Sequence, residues 1–242
     1  MERRQAVQRI AAQLIPILAV AAFLSGPSRA SGEPFLDVYG GVAETQSASV
    51  TAQHRDCSGD ALLFSLCSSW TKGTTKVDFE TAGTFGMRAG YWFERVPWLG
   101  LAGDVSFFEA EGRDVRFKIV PVSLLLMLRL PLLATEEIPK GRLQPYFGAG
   151  PSLFYQDASV DFRPQVDKKV SLSSWGVGLD TRIGLAWQVH RRVALFTEYR
   201  FTYLPISMDN ESDSFGLHAA ATRHVDATLN THHLLAGISF RF

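Results

Sequence analysis

Hydrophobic and polar residues alternate strictly in the carboxy-terminal third of the chain. From Trp175 to Val189 every odd-numbered position is apolar or Thr, while the even positions carry Gly, Ala, Asp, Arg and Gln. A period of two over such a length predicts a β-strand with one apolar and one polar face. A globular strand usually has about five to six residues, whereas a tilted strand needs about 9 to 11 to cross a bilayer. The segment therefore predicts a membrane-crossing strand.

The same alternation predicts seven further strands. They lie at 36–43, 85–93, 99–108, 120–130, 143–155, 194–203 and 233–242. The strand at 120–130 is apolar on both faces for part of its length, because Leu125 and Met127 stand opposite its other leucines. About eight such strands in one chain predict an all-β, transmembrane, antiparallel up-and-down barrel.

The connections between these strands alternate in length. Two are tight turns, at 94–97 and 190–192, and one of modest length lies at 131–141. The others are mostly longer and polar, and they span 46–83, 109–117, 156–173 and 205–231. Short turns on one rim and long loops on the other are typical of outer-membrane barrels, whose termini lie on the short-turn rim. We therefore expect the four long connections to be extracellular loops.

The first thirty residues have a different character. Three arginines precede an apolar run at 10–24, and small residues occupy positions 28 and 30. This pattern predicts a signal peptide over 1–30, cleaved after Ala30. An uncleaved anchoring helix is the alternative, although the run is shorter than the ~20 residues that a spanning helix needs. In both cases the barrel domain, 31–242, is exported, and we expect it in the outer membrane of a Gram-negative-type bacterium.

Charge and cysteine content narrow the possible partners. Lys plus Arg and Asp plus Glu both number 24, so no net field attracts nucleic acid, and no nucleic-acid partner is expected. Cys57 and Cys67 are the only cysteines, and in an oxidising compartment they are expected to form one local disulfide. With only His54 nearby they fall short of a metal site. No metal and no cofactor are expected.

Charged residues recur on the polar faces of the predicted strands, which would line the barrel interior. They are Asp37, Arg88, Asp104, Arg129, Asp180, Arg182, Glu198, Arg200 and Arg241. An eight-stranded barrel is only wide enough to be filled by its own side chains, and charges held there must pair or be hydrated. These residues are therefore predicted to plug the lumen with ion pairs. A conducting pore for small solutes is the alternative.

Aromatic residues near strand ends or on lipid faces are expected to mark the membrane interfaces. They are Tyr91, Trp92, Trp98, Trp175, Trp187, Tyr199 and Tyr203. A barrel enzyme that modifies lipid A is a further hypothesis, for which His232 and His233 at the outer end of the last strand are the pair to test. We expect no enzymatic activity, because no compact His and Ser pairing occurs on one strand face.

Three segments resemble the small outer-membrane β-barrel proteins of the OmpA-like and opacity-like type. They are 35–41 (FLDVYGG), 145–151 (PYFGAGP) and the closing 239–242 (SFRF). The resemblance implies contact with outer-membrane lipid and lipopolysaccharide. It also implies that the barrel assembly machinery reads the aromatic end, here Ile238, Phe240 and Phe242. Members of such families serve as structural proteins, adhesins, immune-evasion factors or minor pores. The expected function is thus structural or surface-interactive, with the loops meeting an extracellular ligand.

Overall fold

The structure is a computed structural model. It describes residues 32–58, 66–67, 71–112, 115–136, 138, 140–161, 169–212 and 221–242. The predicted signal peptide lies outside these residues and stays a prediction. Within the described ranges, no helix is long and apolar enough to cross a membrane.

The regular elements of these residues are eleven β-strands. They are β1 (Glu33–Thr45), β2 (Ala48–Ser58), β3 (Leu66–Cys67), β4 (Thr71–Val77), β5 (Ala82–Trp92), β6 (Leu99–Glu111), β7 (Val115–Arg129), β8 (Leu143–Asp161), β9 (Lys169–His190), β10 (Val193–Ser212) and β11 (Ala221–Arg241). Eight of them, β1 and β5 to β11, pair with their neighbours in chain order. The pairing of β1 with β11 closes the sheet, from Phe35 opposite Arg241 to Thr45 opposite Thr231. The predicted fold, a closed eight-stranded antiparallel barrel, is confirmed.

The two faces of each barrel strand meet opposite environments. On β9, Val177 and Ile183 point outward and are 66% and 60% exposed, whereas Asp180 and Arg182 are buried inside at 0% and 1%. Because side chains alternate along a strand, the sequence pattern turns directly into an apolar exterior and a polar interior. This arrangement is the architecture of small outer-membrane barrels.

The segment predicted as a long loop at 46–83 contains three strands, β2 to β4, which sequence analysis did not identify. β2 and β4 pair with each other and continue the register of β1 with β5. Ala43 opposes Ala82 at the top of the barrel pair, and Ala48 opposes Val77 five residues further on. Apolar alternation detects only the part of a strand that faces an apolar medium, whereas backbone hydrogen bonding continues beyond it.

The other predicted loops are also shortened by longer strands. β6 extends to Glu111 and β7 begins at Val115, and β8 and β9 remain paired up to Asp161 opposite Lys169. β10 and β11 pair as far as Ser212 opposite Ala221. Pairing between β9 and β10 stops earlier, at Tyr203 opposite Leu179. The strands therefore extend past the apolar band as two separate groups rather than as one closed wall.

The opposite rim is formed by compact turns. Arg191 and Arg192 alone connect β9 to β10. The longer connection between β7 and β8 is folded on itself, with Leu132 bridged to Leu143. Gly141 in this connection has φ +87°, and a Cβ there would lie 2.8 Å from the carbonyl oxygen of Leu132, so glycine is required.

Candidate functional site

The barrel interior is the one region where the predicted site residues converge. The structure places all nine charged residues there, each 7% exposed or less. They come from seven different strands, because each of these strands contributes residues from its inward face. The geometry of their contacts, and not their burial alone, shows what they do.

Arg182 is the centre of the network. Its Nε and Nη2 donate to the two carboxylate oxygens of Asp180 at 2.9 and 2.8 Å, and its Nη1 donates to Asp104 at 2.8 Å. Nη1 also donates to Glu198 at 3.3 Å. The planar guanidinium suits this bidentate geometry. One arginine from β9 thereby joins acids on β6, β9 and β10.

Two further arginines extend the network across the lumen. Arg88 on β5 donates through Nε to Asp37 at 2.8 Å and through Nη1 to Glu198 at 2.6 Å. Arg200 lies 2.7 Å from Asp180 through Nη2, and its Nη1 donates to Ser106 at 2.5 Å. β5 and β10 are not neighbours in the sheet, so the contact of Arg88 with Glu198 fixes strands that share no backbone ladder.

Two tyrosine hydroxyls donate further hydrogen bonds to the acids of this central network. Tyr39 donates to both oxygens of Asp104 at 2.9 and 2.8 Å, and Tyr146 donates to Glu198 at 2.8 Å. Sequence analysis did not assign them a role. The alternation along β1 could have identified Tyr39, because it lies two residues after Asp37 and therefore on the same inward face.

A second charge cluster closes the short-turn rim. Arg129 donates through Nη2 to Glu33 at 2.7 Å, and Arg241 lies 3.6 Å from the same carboxylate. Glu33 is 4% exposed and was missed by sequence analysis, because β1 begins three residues before the predicted strand. With Glu33 included, the interior formed by the described residues holds five acids and five arginines, so these charges balance. The four acids identified from sequence had left one arginine in excess.

Apolar layers pack around and above these charges. One layer includes Phe35, Tyr146 and Phe196, and a second, towards the long-strand rim, includes Phe108, Phe154 and Leu229. Both layers are almost completely buried.

One cavity of about 10 Å³ lies beside the rim cluster, between Asp37, Trp92 and Arg241. That volume is the size of a single water molecule. Three of the residues that line it have buried polar atoms without a hydrogen-bond partner, namely Asp37 Oδ1, Ser239 Oγ and Arg241 Nε. At this point in the lumen the buried side chains leave room for about one water molecule.

The two adjacent histidines lie on opposite faces of β11. His233 is buried, with its ring 4.8 Å from that of Phe108. His232 faces outward and contacts the Tyr199 hydroxyl at 2.5 Å. Because consecutive strand residues point in opposite directions, the two rings cannot act together, and the proposed catalytic pairing of His232 with His233 is wrong.

Trp92, which was predicted to mark a membrane interface, lies on the inner face of the barrel instead. It points into the barrel at 3% exposure, with the Arg129 guanidinium 4.4 Å from its ring centroid. It shares the inward parity of Arg88 on β5, which could have revealed this. Trp98, Trp175, Trp187, Tyr199 and Tyr203 are exposed on the outer surface.

The remaining predicted residues take positions at the two ends of the barrel. Ile238, Phe240 and Phe242 face outward and are 43%, 40% and 71% exposed. Cys57 and Cys67 are direct cross-strand partners between β2 and β3. Among the described residues, no group of His, Cys, Asp or Glu is arranged to hold a metal ion.

No protein-family model matches the sequence, and none of the curated proteins does either. Similar solved structures exist. Neisserial surface protein A (NspA) is 18% identical with a TM-score of 0.45, over 88% of this chain and 100% of that chain. The outer membrane protein OprG from Pseudomonas aeruginosa is 16% identical with a TM-score of 0.49, over 86% and 95%. Ail of Yersinia pestis, solved with the heparin analogue sucrose octasulfate, is 17% identical with a TM-score of 0.40, over 87% and 99%. At these identities the likeness concerns the fold alone.

Proposed function

We propose that the chain is an integral outer-membrane barrel with a structural or surface-interactive role, a closed lumen and no catalytic centre. The observation that carries this proposal is the inverted distribution of polarity. Arg200 and Asp180 are fully buried, whereas Val177, Ile183 and Leu234 are at least 60% exposed. A water-soluble protein rarely exposes so continuous an apolar surface. A bilayer accepts it, because a closed barrel satisfies all its backbone hydrogen bonds internally.

The filled interior supports a plug rather than a channel. Any solute path along the axis must pass Arg182, which contacts three acids at once, and the buried Phe108 and Phe154. Each side chain in this path is held by partners from other strands. Opening a path would separate buried charges, which is expensive in a low-dielectric interior.

A small-solute pore is the second candidate. The observation in its favour is the continuity of the polar groups, which run from Glu33 at the short-turn rim through Arg88 to Arg200. Rearranged ion pairs within this chain of groups would give a hydrated path. The apolar layer above Arg200 argues against such a path.

The long strands offer a surface for recognition. β10 continues for nine residues from Leu204 to Ser212 beyond the last outward aromatic, Tyr203. At about 3.3 Å per residue this adds about 30 Å along the strand. Together with β2, β4 and β11 it forms a paired extension that is more rigid than a free loop. Function on such scaffolds usually resides in the outermost segments.

The partners follow from this placement. The exterior meets outer-membrane lipid on one leaflet and lipopolysaccharide on the other, and the outermost segments meet an extracellular ligand. The outward Ile238, Phe240 and Phe242 are available to the barrel assembly machinery from the lipid side. The signal peptide at 1–30 supplies the export step.

Location and orientation can be tested by cysteine labelling in intact cells. In a Cys57→Ser, Cys67→Ser background, Lys76→Cys places a thiol on the long-strand rim and Arg191→Cys places one on the short-turn rim. A membrane-impermeant maleimide is expected to label position 76 in intact cells and position 191 only after permeabilisation. Equal labelling at both positions, or labelling of neither in the membrane fraction, would refute the proposal.

The recognition role needs a separate experiment. Replacing 46–81 by a short turn removes β2 to β4 and leaves the eight barrel strands. Bacteria producing the trimmed barrel are expected to lose attachment to epithelial monolayers relative to the full-length protein, at equal surface amounts and with an unchanged heat-dependent gel shift. Undiminished attachment would exclude this extension as the recognition surface.

A further inference from the structure

The short-turn rim carries a cluster of basic side chains on the side formed by β8, β9 and β10. Arg142 precedes β8, His190 ends β9, and Arg191 and Arg192 form the turn between β9 and β10; all four residues are exposed. In the described part of the chain, none of the three guanidinium groups has a carboxylate partner. The whole chain has no net charge, so this cluster is a local feature.

Backbone contacts hold the two basic turns side by side. Gln188 on β9 donates its backbone N–H to the Arg142 carbonyl at 2.8 Å and its side-chain amide to the Arg191 carbonyl at 3.0 Å. The Arg192 carbonyl in turn accepts from the backbone N–H of Arg241 at 2.9 Å. The three arginines are thus presented by an ordered framework in which Gln188, 4% exposed, is the common link.

An apolar surface borders this cluster on the barrel side. Trp187 and Val189 are 55% and 44% exposed directly before the basic turn, and Leu130 is 58% exposed on the neighbouring connection. Leu133 is 68% exposed and has φ +53°, a backbone region that a non-glycine residue seldom adopts. The connection therefore keeps an apolar side chain outward in an unfavourable conformation, which is a frequent sign of a functional contact.

We propose that this rim, defined by Arg142, Arg191 and Arg192 below Trp187 and Leu133, binds the headgroup of an anionic phospholipid. This inference rests on the proposed membrane location. The phosphate of a lipid lies just beyond its acyl chains, and the arginines lie just beyond the apolar exterior, so both parts of one molecule are matched. Arginine holds phosphate oxygens in a bidentate manner. A basic side chain at an anionic membrane surface changes binding by up to about fivefold at low salt.

The test measures lipid selectivity in phosphatidylcholine vesicles. Electron spin resonance compares the association of spin-labelled phosphatidylglycerol with that of spin-labelled phosphatidylcholine at the surface of the refolded full chain. The wild type is expected to prefer phosphatidylglycerol several-fold at low salt and much less at high salt. The triple variant Arg142→Gln, Arg191→Gln, Arg192→Gln is expected to show no preference.

A matched control removes three charges from the opposite rim, through Lys76→Gln, Arg116→Gln and Lys118→Gln. It should keep the wild-type preference. Loss of preference in both variants, or no preference in a wild type that inserts normally, would overturn the lipid site while leaving the barrel assignment intact. A wild type that fails to insert into any vesicle, judged by its heat-dependent gel shift, would instead overturn the proposed membrane function and the lipid site with it.

Discussion

Replacing Arg88 by Met is the most informative perturbation of the interior, because its consequences differ for its two partners. The side chain of Asp37 is held by Arg88, whose Nε and Nη2 each lie 2.8 Å from Asp37 Oδ2. The other carboxylate oxygen, Oδ1, has no hydrogen-bond partner. Glu198 also loses a contact, of 2.6 Å, but keeps the Tyr146 hydroxyl and Arg182. The variant therefore leaves the buried Asp37 carboxylate without an ion-pair partner and removes one of the contacts of Glu198.

The expected loss of stability follows from this difference. Removing one partner of a buried ion pair costs about 3–5 kcal/mol, and a carboxylate with no other partner belongs near the upper end. With a urea dependence of about 2 kcal/mol per molar, a loss of ~4 kcal/mol lowers the unfolding midpoint by about 2 M. Adding Asp37→Asn removes the stranded charge and should recover about 2 kcal/mol as a coupling energy.

The assay is urea unfolding of the refolded barrel in lipid vesicles, followed by tryptophan fluorescence and by the gel shift between unboiled and boiled samples. Arg116→Met is the control, because Arg116 also pairs with a carboxylate, that of Glu111, but both side chains are 44% or more exposed. Such a pair contributes about 0–1 kcal/mol. The control should therefore unfold almost like the wild type.

A loss below about 1 kcal/mol for Arg88→Met would refute the reasoning. It would mean that water solvates Asp37 and Glu198 once the arginine is gone, as in a hydrated lumen. A large loss that Asp37→Asn fails to reduce would also refute it, since the loss would then reflect packing rather than a stranded charge.

Three other outcomes are expected. Cys57 and Cys67 are cross-strand partners and should form a disulfide. Directly opposed strand residues lie within the Cα separation that a disulfide allows. Free thiols in protein isolated from the outer membrane would contradict this prediction. Gly150→Ala should destabilise the barrel, since its Cβ would lie 1.8 Å from a backbone oxygen of the neighbouring strand. Gly103→Ala is the control and should be tolerated, because a Cβ there would meet nothing within 4 Å. Equal urea unfolding midpoints for the two variants would contradict this prediction. Phe242→Ser should lower the amount of barrel inserted in cells, because the terminal aromatic is expected to be read during assembly, while refolding in vitro stays unchanged; unaltered levels in cells would reject it as an assembly signal.

Sequence alternation was sufficient to predict the strands of the membrane-facing band and the inward direction of all nine charged residues. The reason is physical: a strand has a period of two, so one reliable position such as Arg182 fixes the face of every neighbour. The same rule places Glu33 and Trp92 on inward faces. Glu33 was missed because the first strand was predicted to begin too late, and Trp92 because it was assigned to the membrane interface as an aromatic residue.

Other features lie beyond a local pattern. Arg88 and Glu198 are 110 residues apart and meet across the lumen, which depends on the stagger of strands around the whole barrel. The sequences of β2 and β4 carry no sustained apolar alternation, so their pattern does not distinguish them from a loop. The alignment of the two basic turns depends on Gln188, whose role appears only when both turns are folded.

The most direct test of the closed-lumen account is ion conductance of the refolded chain, residues 31–242, in a planar bilayer, with the gel shift confirming that it is folded. The account predicts negligible current, because the five acids and five arginines in the described interior are paired or packed, and the cavity beside the rim cluster has room for about one water molecule. Reproducible discrete channels from the folded wild type would contradict it and would identify the interior charges as a conduction path.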